Sequence, residues 1–343
     1  MFGFQAIRPP NPKIIAIIGA VFVATIVIHQ VSFLYDFIFA EGLSGPLDVL
    51  TTCQQHKPTL KHLDSSQSRK KTTIPNIIHQ IWKSSNVSEY SKDPSYRSWK
   101  AVYEPRKYTV KLWTDDEIHE LIKVKYPSLL PTYESYPHNI QRADMARLVV
   151  VHSEGGIYAD LDVYPRAVGE LQCLQNLGVQ AIFGPTVGTT GVSNHFFMAE
   201  KGSPFLRWAL DEAKRRAGAN SNQIVLPYLR VFWSTGPMMV TAAALEYAEL
   251  QGAANHRLAI LDDHYVRKVV GHLGGRSWHG PDGQFLNFVA DYHVVIEKIA
   301  LGLGVLVLFV LAAVMARLVY LKRRQTNRRP LYIDVSQQKL YVH

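Results

Sequence analysis

Cysteine is scarce in this sequence, which has two, Cys53 and Cys173, among 343 residues. So few cysteines exclude a disulfide-rich scaffold, and no Cys-x-x-Cys pair occurs. The chain does not need such a scaffold, because 47% of its residues are apolar and can build the core of one large domain or two small ones. The sequence leaves open whether the two cysteines pair.

Several catalytic patterns are also missing from the chain. We find no Gly-x-x-x-x-Gly-Lys phosphate loop, no Gly-x-Ser-x-Gly nucleophile elbow and no His-Glu-x-x-His motif. There is no internal repeat. The families that these patterns define are therefore excluded.

Charge is absent from a long apolar run near the C-terminus. Residues 299–316 contain no charged side chain and are long enough to cross a bilayer as a helix. An earlier run, 14–34, follows Arg8 and Lys13 and exceeds the apolar stretch of a cleavable signal peptide. This length favours a retained signal anchor over cleavage after Ala40. Neither run has the polar stripe of a helix buried in a soluble domain, so we expect both to be transmembrane helices.

Positive charge lies outside both apolar runs. Lys322, Arg323 and Arg324 follow the second run, and Arg8 and Lys13 precede the first. Because basic residues stay on the cytosolic side, we expect both termini in the cytosol and the part between the runs in the lumen. The formal charge of +9 then reflects topology rather than nucleic-acid binding. The predicted organisation is a cytosolic N-terminus (1–13), a signal anchor (14–39), a lumenal stem (40–73), a lumenal domain (74–293), a second span (294–321) and a basic cytosolic tail (322–343).

Strands and helices alternate through the predicted lumenal domain. Thr114 and Glu117 have the spacing of a capping box, which begins a helix. Gly155-Gly156 ends a helix and precedes a strand. The pattern predicts strands at 74–82, at 108–113 and from 157, and helices from 114 and over 140–153, 203–218 and 236–252. This alternation favours an α/β domain with a mostly parallel sheet.

The most informative segment runs from Arg142 to Asp162. Asp160 and Asp162 are alternate residues that leave a strand, and both carboxylates can reach one divalent cation that prefers oxygen ligands. A cation held there would stabilise charge on a leaving diphosphate. Asp144 and Arg147 share a helix face and can hydrogen-bond sugar hydroxyls or a phosphate, with an ion pair within the helix as the alternative.

These residues belong to a wider resemblance to a known family. In the stretches 74–83, 142–162 and 274–282, the chain resembles glycosyltransferase family 32, whose members carry an Asp-x-Asp sugar-binding motif. Further motifs are most similar to those of the inositol phosphorylceramide mannosyltransferases, fungal sphingolipid enzymes of the Golgi. These motifs are Gly191–Asn194, Ser234–Pro237 and Ser277–His279 followed by Asp282.

The resemblance implies a GT-A fold, which is a Rossmann-like nucleotide-sugar-binding domain, with GDP-mannose as donor and inositol phosphorylceramide as acceptor. It also implies Mn²⁺ as the ion, retention of configuration, a Golgi membrane location and a regulatory membrane subunit as partner. Carried over to this chain, the resemblance assigns Asp160, Asp162 and His279 to the metal, and Asp144 and Arg147 to the donor sugar. The other candidates are Trp82, Tyr158 and Trp278 for donor binding and Asn86, in Asn86-Val87-Ser88, for N-glycosylation.

Three alternatives to this function remain open. Val163-Tyr164-Pro165 after the motif resembles the α-1,6-mannosyltransferases of N-glycans, whereas the second apolar run favours a lipid acceptor because it keeps the site near the bilayer. A non-catalytic membrane subunit with the same fold would not need every acidic residue of the motif, yet all are present. A hydrolase is the third alternative, although glycosidases need two carboxylates flanking the bond, and no such pair is evident beyond the motif.

Overall fold

The computed structural model describes residues 12–33, 47–53, 74–87, 94–186, 191–252, 257–274, 279–292, 298 and 314–320. The chain divides into two compact units, 1–282 and 283–343. The helices are α1 (Pro12–Ser32), α2 (Pro94–Tyr103), α3 (Asp115–Lys125), α4 (Leu130–Ser135), α5 (Asn139–Glu154), α6 (Val168–Gln175), α7 (Pro204–Arg216), α8 (Ala219–Asn222), α9 (Pro227–Ser234), α10 (Pro237–Gln251), α11 (Asp263–Val269) and α12 (Pro281–Asp291). A 3₁₀ turn, Glu104–Arg106, follows α2. In the second unit, residues 314–320 are helical.

A seven-stranded sheet forms the centre of the first unit. The strands are β1 (Asp48–Leu50), β2 (Ile77–Ile81), β3 (Thr109–Trp113), β4 (Gly156–Ala159), β5 (Val163–Pro165), β6 (Ala181–Pro185), β7 (Val192–Ala199), β8 (Leu258–Leu261) and β9 (Val270–His272). The order in the sheet is β1-β8-β6-β7-β4-β2-β3. β7 is antiparallel to β4 and β6, and the other pairs are parallel. β5 and β9 form a separate antiparallel pair. The prediction of an α/β domain with a mostly parallel sheet is confirmed.

Two large apolar clusters cover the sheet, one on each face, and a third, smaller cluster contains Ile224, Leu229 and Met238. Because successive residues of a strand point to opposite faces, Ile157 belongs to one cluster and its neighbour Tyr158 to the other. Helices α3, α5, α7 and α10 contribute to the Tyr158 cluster. Helices α2, α6 and α11 contribute to the Ile157 cluster. With both faces covered, the central strands become continuous apolar runs, as β4 is.

Local signals in the sequence correctly predict the elements that lead to the acidic motif. α3 begins at the capping box, where Thr114 Oγ1 accepts a hydrogen bond from Glu117 N at 3.3 Å and Glu117 Oε2 accepts one from Thr114 N at 2.8 Å. α5 ends at Gly155, and Gly156 then enters β4 with a φ of 113°. Gly155 O accepts a hydrogen bond from Nε2 of the buried His79 in β2 at 2.8 Å. The glycine pair therefore joins α5 to the centre of the sheet.

Part of the region predicted as a stem belongs to the sheet. β1 pairs in parallel with β8, and its Leu50 is fully buried. Just after β1, Cys53 forms a disulfide with Cys173 of α6, with 6.1 Å between their Cα atoms. The two cysteines of the chain are therefore paired, and the bond fixes the edge strand β1 to a helix on the Ile157 side of the sheet.

Among the described residues, α1 is the helix that is long and apolar enough to span a membrane, over Lys13–Gln30. None of that window is buried in the protein, so α1 is not a core helix. The second predicted span, 294–321, lies outside the described residues except for 298 and 314–320. The structure therefore contains a helix that is suited to span a membrane at the first of the two predicted positions. It does not show a second one within the ranges that it describes.

Candidate active site

The acidic motif lies in a tight turn at the end of β4. Asp160 N donates to His195 O of β7 at 2.9 Å, which continues the β4–β7 ladder by one residue. The chain then turns through Leu161 and Asp162 into β5, and Val163 N donates to Asp160 O at 2.9 Å. Leu161 is buried. The two carboxylates therefore project from a backbone that is fixed on both sides.

Asp160 and Asp162 line one open cleft with a volume of about 680 Å³. That volume lies within the range of about 300–1,000 Å³ that is usual for small-molecule sites. Trp82, Arg147 and Tyr158 contribute to the same wall. The structure therefore brings these five predicted site residues to a single cavity.

Arg147 is the buried cation of this cleft. Its Nη1 lies 3.3 Å from Asp144 Oδ1, and its Nη2 lies 3.4 Å from Asp160 Oδ1. Its guanidinium carbon lies 5.2 Å from the centroid of the Tyr158 ring. Burial by itself would lower the pKa of Arg147, but the neighbouring acidic groups, Asp160 first, hold the pKa above its ordinary value. Arg147 Nε is buried and has no hydrogen-bond partner among the residues that the structure describes, so one N–H of this guanidinium is left unsatisfied behind the wall of the cleft.

The environment of Asp160 favours an approaching cation. Tyr158 OH donates a hydrogen bond to Asp160 Oδ1 at 2.8 Å. Burial raises the pKa of Asp160 to about 6, with Arg147 opposing the rise and Asp162 adding to it. A nearby positive charge favours the ionised form of a carboxyl group, and most strongly where burial disfavours that form. The pair of carboxylates is therefore a place where a bound cation would relieve electrostatic repulsion.

Asp144 is buried behind Arg147, outside the wall of the cleft. Its Oδ1 accepts a hydrogen bond from Asn194 Nδ2 at 3.1 Å, and its Oδ2 accepts one from Thr235 Oγ1 at 2.9 Å. Burial raises the pKa of Asp144, and Arg147, Thr235 and Asn194 oppose that rise. Asn194 and Thr235 belong to the motifs Gly191–Asn194 and Ser234–Pro237, in which neither residue had a predicted role. Both reach Asp144, which in turn contacts Arg147.

Asp162 contacts a histidine that the sequence analysis did not select. His272 Nε2 lies 3.2 Å from Asp162 Oδ2, across 110 residues of sequence. The β5–β9 pairing places it there, because His272 lies opposite Val163. The ring of His195 stacks on that of His272 with 4.6 Å between centroids, and burial lowers the pKa of His195 to about 3. His272 could have been predicted as a neighbour of Asp162 only from the register of β5 and β9. That register cannot be inferred from a local sequence pattern.

More polar side chains that the sequence analysis did not select complete the wall of the cleft. They are Lys83, Asp115, Asp116, His119, Glu134, Asn139 and Arg142. His119 Nε2 lies 2.9 Å from Glu134 Oε1. Burial raises the pKa of Asp115, and Arg142 opposes that rise. The carboxylates accept hydrogen bonds and the basic and amide side chains donate them, so this wall suits a ligand that is rich in hydroxyl groups.

Trp82 directly follows β2, where its own loop fixes the indole. Its Nε1 donates to Asn86 O at 3.0 Å, and Lys83 Nζ lies 5.9 Å from the ring centroid. The side chain of Asn86 is exposed, as a glycosylation site requires. Base stacking by Trp82 and glycosylation of Asn86 both stay predictions.

His279 and Asp282, from the last of the predicted motifs, contact the start of α9. The ring of His279 meets that of Tyr228 edge-on, with 4.9 Å between centroids. Asp282 Oδ2 accepts a hydrogen bond from Tyr228 N at 2.7 Å. The predicted role of His279 at a metal stays a prediction, and Trp278 lies outside the described residues.

The donor set of Asp160 and Asp162 fits a hard divalent cation. Within the described part of the chain, no group of three or more His, Cys, Asp or Glu side chains is arranged to hold a metal ion. Ions such as Mg²⁺ keep several water ligands and bind through one or two carboxylates together with substrate phosphates. Two carboxylates in an open cleft are therefore sufficient on the protein side.

Comparison with protein families matches residues 54–180 to the glycosyltransferase sugar-binding region containing the DXD motif. The matched region contains Asp160-Leu161-Asp162, together with Asp144 and Arg147. The family match and the cleft therefore identify the same part of the chain.

Two fungal proteins are similar to this chain over most of its length. Inositol phosphoceramide mannosyltransferase 3 of Schizosaccharomyces pombe is 30% identical over 66% of this chain and 62% of its own length. Inositol phosphoceramide mannosyltransferase 1 of the same organism is 28% identical over 76% of this chain and 79% of its own length. The chain thus spans somewhat less than two thirds of the first relative.

Among solved structures, one match is described as PaToxG glycosyltransferase. It is 19% identical, and the alignment covers 53% of this chain and 71% of that chain with a TM-score of 0.36. At this TM-score, the match adds nothing to the fold described above.

Proposed function

Because this chain belongs to the glycosyltransferases that carry the DXD sugar-binding region, we propose that it transfers mannose from GDP-mannose to inositol phosphorylceramide. Two similar proteins are named for mannosyl transfer to inositol phosphoceramide. The observation that carries the proposal is the cleft in which Asp160, Asp162 and Arg147 meet. In this proposal, the domain has the GT-A fold and the reaction is a step of sphingolipid synthesis.

The chain's own residues bind and orient the donor in this proposal. Asp160 and Asp162 would hold a divalent cation, Mn²⁺ in this proposal, which supplies positive charge at the leaving diphosphate. Arg147, which lines the cleft, donates a charge-assisted hydrogen bond to a donor phosphate or hydroxyl. Asp144 holds Arg147 in place, and Tyr158 does the same for Asp160. Preorganised charges of this kind need no rearrangement when the bond breaks.

The reaction exchanges one C–O bond for another. An inositol hydroxyl attacks the anomeric carbon of mannose, the bond from that carbon to the diphosphate oxygen breaks, and GDP leaves with the hydroxyl proton on a diphosphate oxygen. In the proposed retaining reaction, attack comes from the face that the diphosphate leaves. No protein carboxylate then serves as a covalent nucleophile.

We place the enzyme in the Golgi membrane, with its catalytic domain in the lumen and both termini in the cytosol. The Cys53–Cys173 disulfide supports an oxidising compartment, and the exposed Asn86 is compatible with one. The apolar, unburied α1 supports a membrane anchor. Three further parts complete the proposal: a regulatory membrane subunit, a donor contact from Trp278 and a metal contact from His279.

Transfer of radiolabelled mannose tests this function directly. Membranes that carry the wild-type chain or Asp162→Asn are incubated with labelled GDP-mannose, Mn²⁺ and inositol phosphorylceramide, and the label in lipid is measured. We expect lipid labelling with the wild type that depends on Mn²⁺, and a loss of at least about a hundredfold in the variant, since a ligand carboxylate stabilises the transition state by several kcal/mol.

Asp211→Asn is the matched control for this experiment. Asp211 lies on α7 and is 53% exposed, where it pairs with Arg207 one turn earlier in the same helix. Such surface pairs contribute little, so this variant should transfer mannose like the wild type. Wild-type label on N-glycans would replace the lipid acceptor by a glycan acceptor, and label released to water would indicate a hydrolase. No wild-type turnover with either acceptor would favour a non-catalytic subunit.

A further inference from the structure

Helix α1 is fixed to the rest of the first unit at its C-terminal end. Gln30 Nε2 donates to Gln223 O at 3.0 Å, and Gln30 Oε1 accepts from Val225 N at 2.9 Å. Phe33 then packs edge-on against the Trp233 ring, with 5.3 Å between centroids. The side-chain amide of Gln30 thus makes hydrogen bonds to two backbone groups of the segment before α9. These bonds hold that segment against the end of α1.

Residues 223–226 form a short segment before α9, here called the 223–226 loop. Ile224 is fully buried, whereas Val225 is 65% exposed and Leu226 is 36% exposed. The loop thus presents two large apolar side chains to the outside. It does so beside Gln30, the last residue of the apolar window of α1.

That position indicates what covers the exposed side chains. A helix that is apolar and unburied on all sides belongs in the hydrocarbon of a bilayer. The end of its apolar window therefore lies near the bilayer surface. Since Gln30 binds the backbone of the 223–226 loop, the loop lies at that surface as well.

We propose that the 223–226 loop inserts Val225 and Leu226 into the interface of the same bilayer that α1 crosses, so that the cleft receives its acceptor from that leaflet. The inference rests on the proposed function, which makes α1 an anchor and a lipid the acceptor. Apolar side chains that insert in this way reach about 5–10 Å into the boundary between headgroups and acyl chains.

Helix α9 connects this loop to the candidate active site. α9 covers Pro227–Ser234, and the next residue, Thr235, donates to Asp144 Oδ2 at 2.9 Å. At about 1.5 Å per residue, the nine steps from Leu226 to Thr235 span at most about 14 Å. The network behind Arg147 therefore lies within about 14 Å of the interfacial residues along this helix. A phosphorylated sugar headgroup at the bilayer surface is then close to the cleft while its acyl chains stay in the membrane.

A fluorescent label at position 225 tests the contact without reference to catalysis. Both native cysteines are in the disulfide, so Val225→Cys in the full-length chain offers a single thiol for a nitrobenzoxadiazole label. In phosphatidylcholine vesicles, we expect blue-shifted emission that is quenched by nitroxides on the acyl chains near the headgroup. The matched control is Val124→Cys on α3, where the native valine is 66% exposed. Its label should emit as in water. Equal emission and equal quenching at the two positions would overturn the proposal.

A charge variant connects the contact to transfer. Val225→Asp with Leu226→Asp should lower transfer to inositol phosphorylceramide in vesicles by roughly tenfold, because charged side chains are disfavoured at the apolar boundary. Transfer to a water-soluble inositol phosphate analogue in detergent should not change, and Val124→Asp should leave both reactions unchanged. Equal transfer by the variant and the wild type in vesicles would contradict the role of the loop. If the wild type transfers to neither acceptor, the proposed function fails, while the label at position 225 still decides the membrane contact.

Discussion

Thr235 acts on the candidate active site through Asp144. Its hydroxyl donates to Asp144 Oδ2 at 2.9 Å, and Asp144 Oδ1 lies 3.3 Å from Arg147 Nη1. A hydrogen bond to an ionised group contributes about 1.5–3 kcal/mol. Thr235→Val keeps the shape of the side chain and removes this donor, so Asp144 and Arg147 should be held less firmly. We expect kcat for transfer to fall by roughly tenfold, which corresponds to about 1.4 kcal/mol, with a smaller change in KM for GDP-mannose.

Thr241→Val separates this positioning role from a general loss of stability. Thr241 is also buried, and its hydroxyl accepts a hydrogen bond from Val192 N at 2.8 Å and donates to Pro237 O at 2.7 Å. This variant should lower the midpoint of thermal unfolding about as much as Thr235→Val does, while its kcat stays close to that of the wild type. If both variants lose the same transfer activity, Thr235 has no specific role in positioning Arg147.

Gly156 determines how β4 enters the sheet. Its φ of 113° is a conformation that only glycine adopts readily, and a Cβ at this position would meet the carbonyl oxygen of Ile77 in β2. We expect Gly156→Ala to lower the free energy of unfolding by roughly 1–3 kcal/mol or more. Gly169→Ala is the control, because Gly169 lies in α6 with open space around its Cα. That variant should be neutral or slightly stabilising in the same thermal unfolding measurement.

Elements with local signals could be predicted from the sequence, and elements that depend on distant partners could not. The capping box of α3 and the glycine stop after α5 depend on neighbouring residues, and both were correct. β1 is only three residues long and depends on pairing with β8, more than 200 residues later in the chain. No local pattern marks it as a strand, so it was predicted as part of the stem. The reversed direction of β7 likewise depends on β4 and β6.

The same distinction applies to the candidate active site. The grouping of Asp160, Asp162 and Arg147 follows from one strand end and the helix before it, and it was predicted from the motif. His272 reaches Asp162 through the β5–β9 pairing, and Thr235 reaches Asp144 across 91 residues. Neither contact has a local pattern, so the sequence could not assign a role to either residue.

At the scale of the whole molecule, α1 is joined to the rest of the first unit by more than the polypeptide backbone. Gln30 and Phe33 contact the chain around α9. The disulfide joins Cys53 to Cys173, 120 residues later in the sequence. Disulfides typically contribute roughly 2–4 kcal/mol to stability, mainly by restricting the unfolded chain, and longer loops contribute more. Every residue predicted for the donor, except Trp278, lies between the two cysteines.

This disulfide also means that the connection between residues 54 and 73 is not needed to keep the domain attached. A protease recognition site placed in that connection can be cut in the full-length chain, and the N-terminal fragment should stay with the remainder on a denaturing gel until a thiol reductant is added. In Cys53→Ser with Cys173→Ser, the fragments should separate without reductant. Separation of the cut native chain without reductant would show that the bond is not formed. If the bond is formed, proteolysis between residues 54 and 73 cannot by itself separate the domain from α1, and that separation requires reduction as well as cleavage.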